Sequence, residues 1–363
     1  EYDLISGNVN QVTYQKKKRD QFIHRYEYDD DNRIVNAQTS NDGEIWETDA
    51  KYQYYEHGPL ARVLTGDKEV QAMDYVYTLQ GWLKGVNGEQ LNGNDIGNDT
   101  GLVTARDAFA YTLSYFNNDY TARLAANPFP NSEAHNTVNP GLKNGNIRGM
   151  TTAIMDTDEN PLNVSFNTYG YDQLNRIVAM QNMESTPLGG TPSINGVEAK
   201  YSYDRNGNLL TLHRSAKTNG GLIKSMDELT YKYYDIAGQP SNRLQVVNDD
   251  VPDSTFETID IDNHEKDYTY DNIGQLTSDV DENIEKINWR VDGKVRSIIK
   301  TDGQEITFTY DGLGNRLSKH NLTEEKTTYY FRDAQGNVLS VYNQLPSRST
   351  PYVLKEQHIY GSS

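Results

Sequence analysis

The sequence predicts an all-β chain assembled from repeated hairpins, and three observations carry that prediction. A short aromatic–Asp motif recurs along the chain in seven copies. The residue balance is skewed, with 27 Tyr against 8 Phe and only 11 Pro, and Asn often stands beside Gly or Asp. Tyr suits half-buried strands, while Asn, Asp and Gly suit tight turns. Apolar and polar residues alternate with period two, and no long stretch shows a helical 3.6-residue period.

The first unit is Tyr26-Glu27-Tyr28-Asp29-Asp30-Asp31-Asn32-Arg33-Ile34. The second runs Tyr169-Gly170-Tyr171-Asp172 to Asn175-Arg176-Ile177, and the third Tyr201-Ser202-Tyr203-Asp204 to Gly207-Asn208-Leu209. A variant, Tyr233-Tyr234-Asp235-Ile236-Ala237-Gly238, follows. Then come Tyr268-Thr269-Tyr270-Asp271 to Gly274-Gln275-Leu276 and Phe308-Thr309-Tyr310-Asp311 to Gly314-Asn315-Arg316-Leu317. The last copy is Tyr329-Tyr330-Phe331-Arg332-Asp333 to Gly336-Asn337-Val338. Aromatics two apart share one strand face. The Asp suits the first turn position, where its carboxylate accepts a nearby backbone N–H. The residue three further on is Gly or Asn in all seven copies, as a left-handed turn position requires. Each unit therefore predicts strand, turn, strand, with Asp29, Asn32, Asp172, Asn175, Asp204, Gly207, Asp235, Gly238, Asp271, Gly274, Asp311, Gly314, Asp333 and Gly336 as structural turn residues.

Degenerate copies fill the gaps. Ile287-Asn288-Trp289-Arg290-Val291-Asp292-Gly293 keeps the alternation and predicts a shorter Asp-Gly turn. The stretch at about 81–149 is loop-rich, although 108–116 alternates as a strand; it reads as an insertion in the same sheet system. The expectation is one repeat array over 1–363.

These Tyr-Asp units with Gly-Asn-Arg-Leu endings resemble the YD or Rhs repeats of bacterial Rhs proteins, insecticidal toxin-complex shells and animal teneurins. The resemblance covers Tyr26 to about Tyr360. Tyr77-Thr78-Leu79-Gln80-Gly81-Trp82-Leu83 and Tyr115-Phe116-Asn117-Asn118-Asp119-Tyr120 look like the variant common in Bacteroidota. The resemblance implies a long, spiralling β-sheet forming part of a hollow shell, which in toxin-bearing members encloses a C-terminal cargo. It also implies a secreted or cell-surface location. Relatives with cleavable cargo carry Asp-Pro elements before it; no Asp-Pro pair occurs here, so no self-cleavage aspartate is carried over.

Charge and composition narrow the chemistry. With 34 basic and 52 acidic residues the net charge is −18, which disfavours nucleic acid and anionic lipid as partners. No cysteine is present, which excludes disulfides, thiolate metal sites and a thiol nucleophile. No run approaches the roughly 20 apolar residues of a spanning helix, and no signal peptide is visible at Glu1. Asp156-x-Asp158-x-Asn160 and Asp279-x-Asp281-x-Asn283 begin like calcium loops, yet Pro161 and Ile284 stand where Gly is needed. The seven His form no zinc-binding pair, and no phosphate loop or nucleophile elbow occurs. Lys16-Lys17-Lys18-Arg19 reads as a solvated loop between two strands.

The expected function is a non-enzymatic shell segment, without cofactor or metal, that encloses or presents a toxin cargo. Its partners would be the remaining Rhs shell and cargo, or another chain. The alternative is an adhesin-like module binding glycans through exposed Tyr. An incomplete shell expressed alone is expected to expose strand edges and to associate.

Overall fold

The structure, a computed structural model, describes residues 1–89, 91, 96–97, 104–122, 129, 141–186, 191–236, 238–251, 256, 261, 264, 266–345 and 352–361. Among these it contains 24 β-strands and no helix, so the chain is all-β.

The first sheet has 15 strands. It opens with β1 (Gln11–Tyr14), β2 (Phe22–Tyr28), β3 (Ile34–Ser40), β4 (Glu47–Tyr54), β5 (Leu60–Thr65) and β6 (Gln71–Tyr77). The loop-rich stretch contributes β7 (Leu83–Val86), β8 (Phe109–Ser114) and β9 (Gly149–Ile154), which pair onward in the same sheet. It ends with β10 (Val164–Tyr171), β11 (Ile177–Ser185), β12 (Ser193–Tyr203), β13 (Leu209–Lys217), β14 (Ile223–Ile236) and β15 (Gln239–Asp249). A two-stranded ribbon, β16 (Thr269–Tyr270) with β17 (Leu276–Ser278), follows. A seven-stranded sheet completes the described chain: β18 (Ile284–Trp289), β19 (Val295–Lys300), β20 (Glu305–Tyr310), β21 (Arg316–Asn321), β22 (Lys326–Arg332), β23 (Val338–Gln344) and β24 (Tyr352–Gln357).

Strand order follows chain order in all three sheets. Strand direction therefore alternates, and every second turn lies along one edge. That edge carries the Tyr-Asp turns. A bulge recurs there at one rung, just before the second aromatic: between Glu27 and Tyr28, Gln53 and Tyr54, Ser202 and Tyr203, and Thr309 and Tyr310. A bulge bends its strand and increases its twist. Repeating it at one rung applies the same bend each time, so the ribbon curls instead of lying flat.

Aliphatic and aromatic rows on one strand face make the core. Ala37, Ala50, Tyr52 and Val63 form one buried cluster, with Tyr26, Tyr54 and Leu60 against it. Leu212, Leu229 and Val247 form another with Tyr201, Tyr231 and Leu244. Within the loop-rich stretch Leu91 packs on Ala110, Val164 and Phe166. Gly85 is a required close approach, because a Cβ there would lie 2.8 Å from the Tyr111 carbonyl oxygen.

The curl brings distant parts together. The Tyr14 ring packs edge-on to Phe331 at 6.4 Å, and its hydroxyl donates to the Tyr342 hydroxyl oxygen at 3.3 Å. The Tyr342 hydroxyl in turn donates to the Asp20 carboxylate. Ile359 and Gly361 lie against Ala37, Asp49 and Tyr52, close enough that a side chain at Gly361 would strike the Tyr52 hydroxyl. The last strands thus pack on the first ones.

Candidate functional site

The Tyr-Asp edge is the feature that repeats, and its geometry is the same in six of the seven units. Asp311 Oδ1 accepts N–H bonds from Leu313 and Asn315 at 2.9 and 2.8 Å, and Gly314 adopts φ 84°. Asp29 takes the N–H groups of Asp31 and Arg33, Asp172 those of Leu174 and Arg176, and Asp204 those of Asn206 and Asn208. Asp271 and Asp333 do the same with Ile273 and Gln275, and with Gln335 and Asn337. Asn32 and Asn175 both sit at φ 62°, while Gly207, Gly274 and Gly336 are at 90°, 94° and 95°. The second carboxylate oxygen serves the side chain four residues on: Arg33 on Asp29 and Arg176 on Asp172, both at 2.7 Å, and Asn315 on Asp311 at 3.0 Å. These hydrogen bonds hold the Asp29, Asp172 and Asp311 carboxyls below the usual carboxylate range, with Arg33 side chain, Arg176 backbone and Asn315 side chain the respective leading donors. The carboxylates are thus spent on their own turns.

Two turns depart from the sequence reading. Asp235 lies inside β14, opposite Pro240, so it does not open its turn; β15 begins at Gln239, which leaves Gly238 (φ 77°) in a two-residue connection. The aromatic pair two apart is here Tyr231 and Tyr233, and the extra Tyr234 between that pair and Asp235 moves the Asp out of step. The Asp292-Gly293 turn is not shorter. The Gly293 N–H donates to the Arg290 carbonyl, so Arg290 holds the place that Asp fills elsewhere. Further turns of this geometry escaped the motif. Thr78 replaces Asp before Gly81, its hydroxyl accepting the Trp82 N–H at 3.2 Å. Asp156, which resembled a calcium ligand, caps a turn of the same kind on the opposite edge with Glu159 at φ 61°. The detectable signal was the i, i+3 spacing, not the residue types.

The second aromatic of each unit ties hairpin to hairpin. Tyr54 donates its hydroxyl to the Ile34 carbonyl at 2.7 Å, Tyr203 to Ile177 at 2.8 Å and Tyr233 to Leu209 at 2.9 Å. Tyr310 reaches Val295 at 2.8 Å and Tyr360 reaches Val338 at 2.7 Å, and the Trp289 indole N–H reaches Leu276 at 2.7 Å. Each acceptor is the aliphatic residue just past the preceding turn. This ladder is invisible in the sequence because donor and acceptor belong to different units.

Two buried polar clusters lie off this edge. Lys84 Nζ pairs with Asp119 at 2.9 Å, both nearly fully buried, and Asp119 also accepts the Tyr115 N–H at 2.8 Å. Burial pulls the Lys84 ammonium down, against the pull of Asp119. The pair pins the segment that follows β8 to β7. At the break between sheets, His264 stacks on Tyr268 at 3.9 Å and bridges Asp279 (2.7 Å) and Asp281 (3.3 Å) from opposite ring nitrogens. Opposed nitrogens do not converge on one ion. Among the described residues no group of three His, Asp or Glu is arranged to hold a metal.

No family model and no curated protein matches the sequence. Solved structures similar to it include the TcdB2-TccC3-Cdc42 crystal structure, 12% identical over 90% of this chain and 21% of that one, with a TM-score of 0.25. The Photorhabdus luminescens Tc holotoxin pore with the TccC3 D651A mutation is 11% identical over 97% of this chain and 25% of that one, with a TM-score of 0.18. A porin-like protein from Bacteroides uniformis is 10% identical over 95% of this chain and 96% of that one, with a TM-score of 0.19. The chain therefore spans about a quarter or less of the toxin-complex chains. Scores this low equate no residue of this chain with a residue of those proteins.

Proposed function

We propose that this chain is a non-enzymatic wall: a YD-repeat shell segment of an exported, Rhs-type polymorphic toxin of the Bacteroidota kind that encloses or presents a C-terminal cargo. The observation that carries this reading is the seam at which Tyr14 and Asp20 meet Tyr342 and Phe331. A ribbon of consecutive hairpins that curls until its late strands contact its first can separate an inside from an outside. The turn carboxylates support the same reading, because Asp29, Asp172, Asp204, Asp271, Asp311 and Asp333 are each consumed in holding their own turn. The adhesin alternative is weakened by the ladder, which uses the hydroxyls of the repeat tyrosines for backbone carbonyls.

Protease protection in the natural full-length protein tests the proposal. The polypeptide beyond residue 363 is expected to resist proteinase K until the wall is opened by denaturant. A reading frame that stops at residue 363, or a downstream segment digested as fast as its isolated counterpart, would overturn it.

A further inference from the structure

One rung of the ladder is built differently. Between the Asp311 and Asp333 units, Arg316 stands where the aliphatic acceptor belongs, and Arg332 stands where the tyrosine belongs. The Arg332 Nε donates to the Arg316 carbonyl at 3.3 Å, and its Nη1 to the Gly336 carbonyl at 2.7 Å. In the neighbouring unit Arg290 replaces the turn aspartate, so Lys294 lacks the carboxylate that pairs with Arg33 and Arg176 at the same position. The three exchanges gather cations around one cleft of about 440 Å³ lined by Trp289, Lys294, Tyr310, Arg316, Tyr330 and Arg332.

Among the described residues Lys294, Arg316 and Arg332 have no carboxylate partner. Of the nearby acids, Asp292 pairs with Arg290 at 2.9 Å, while Asp311 and Asp333 are held by their own turns. No acidic side chain lines the cleft, although the chain carries 52 acidic residues against 34 basic. Trp289 N–H and Tyr310 O–H are spent on backbone carbonyls, and the Arg290 guanidinium covers one face of Tyr310 at 5.2 Å, so these two half-buried rings bring apolar surface and no free polar group to the cleft.

We propose that this cleft binds an acidic saccharide, a uronate-type ring with one apolar face and one carboxylate. Aromatic rings stack on the C–H face of a pyranose, and guanidinium groups take a carboxylate in paired, charge-assisted bonds. The cleft falls in the size range of small-ligand sites. An acidic polypeptide would use the cations and leave the aromatic surface idle. The proposal does not depend on the chain being a shell wall.

Isothermal titration of the full chain with a short oligogalacturonide tests it, alongside a neutral cello-oligosaccharide and a poly-glutamate peptide of equal charge. Saturable binding of the oligogalacturonide alone is expected. K294E/R316E, both exposed positions, should weaken it at least ~10-fold, about one tenfold step per 1.4 kcal/mol of lost interaction. R332Y, which restores the ladder tyrosine, should also weaken binding while the melting temperature holds or rises. That outcome separates lost recognition from lost folding. No saturable binding, equal binding of poly-glutamate, or unchanged affinity in both variants would overturn the proposal.

Discussion

At the residue scale, His24 sits in an environment that its sequence context does not show. It is buried, its two ring nitrogens have no hydrogen-bond partner among the described residues, and it sits between the Phe22 and Tyr26 rings at 4.9 and 6.3 Å. Burial lowers its pKa from 6.5 to about 4. The folded chain therefore holds a neutral imidazole where the unfolded chain binds a proton. Its contribution is complete above pH 6.5 and is lost as pH falls toward 4, by up to about 3 kcal/mol. The depressed turn carboxyls Asp29, Asp172 and Asp311 act in the next window: their stabilisation is complete above the ordinary value of 3.8 and fades as pH falls through their lower folded values. Melting curves between pH 7 and 3 should show both limbs. His24→Phe should flatten the upper limb and leave the lower one; an unchanged upper limb would place the titrating group elsewhere.

At the element scale, a hairpin of the regular repeat is held by one turn carboxylate and one rung of the ladder. Tyr203→Phe removes the hydroxyl bond to Ile177 and keeps the ring, so urea titration should read a loss of about 1 kcal/mol. Asp271→Ala removes the acceptor for the Ile273 and Gln275 N–H groups and should cost about the same. The two sites lie in different hairpins, so the double variant should show the sum. A cost for Tyr203→Phe indistinguishable from zero would mean that solvent satisfies the carbonyl and that the ladder adds nothing to stability.

For the whole molecule the informative contact is the seam. Lys16-Lys17-Lys18-Arg19 lies in the turn between β1 and β2, next to Asp20, whose carboxylate accepts the Tyr342 hydroxyl. Y14A/Y342A should free this turn. Trypsin is then expected to cut after these basic residues at least ~5-fold faster than in the parent chain, while far-UV circular dichroism stays strand-dominated. Equal cleavage rates would show that the seam does not hold the N-terminal hairpin in place.

The amino-acid sequence by itself determined the hairpin array. Period-two alternation sets strand faces, and an Asp followed three residues later by Gly or Asn sets a turn through local hydrogen bonds; both causes act within a few residues and can be read along the chain. The same locality explains the misread turns. At Asp235 an extra residue, Tyr234, shifted the register, and at Arg290 a backbone turn formed without its usual carboxylate. Only the tertiary structure decided which residues meet across hairpins: the ladder from each tyrosine to the preceding carbonyl, the Lys84–Asp119 pair, the cationic rung at Arg316 and Arg332, and the seam at Tyr14 and Tyr342. Those contacts depend on strand order, on a bend repeated at every bulge and on the total number of strands. A curvature summed over the whole ribbon leaves no mark at any single position of the sequence.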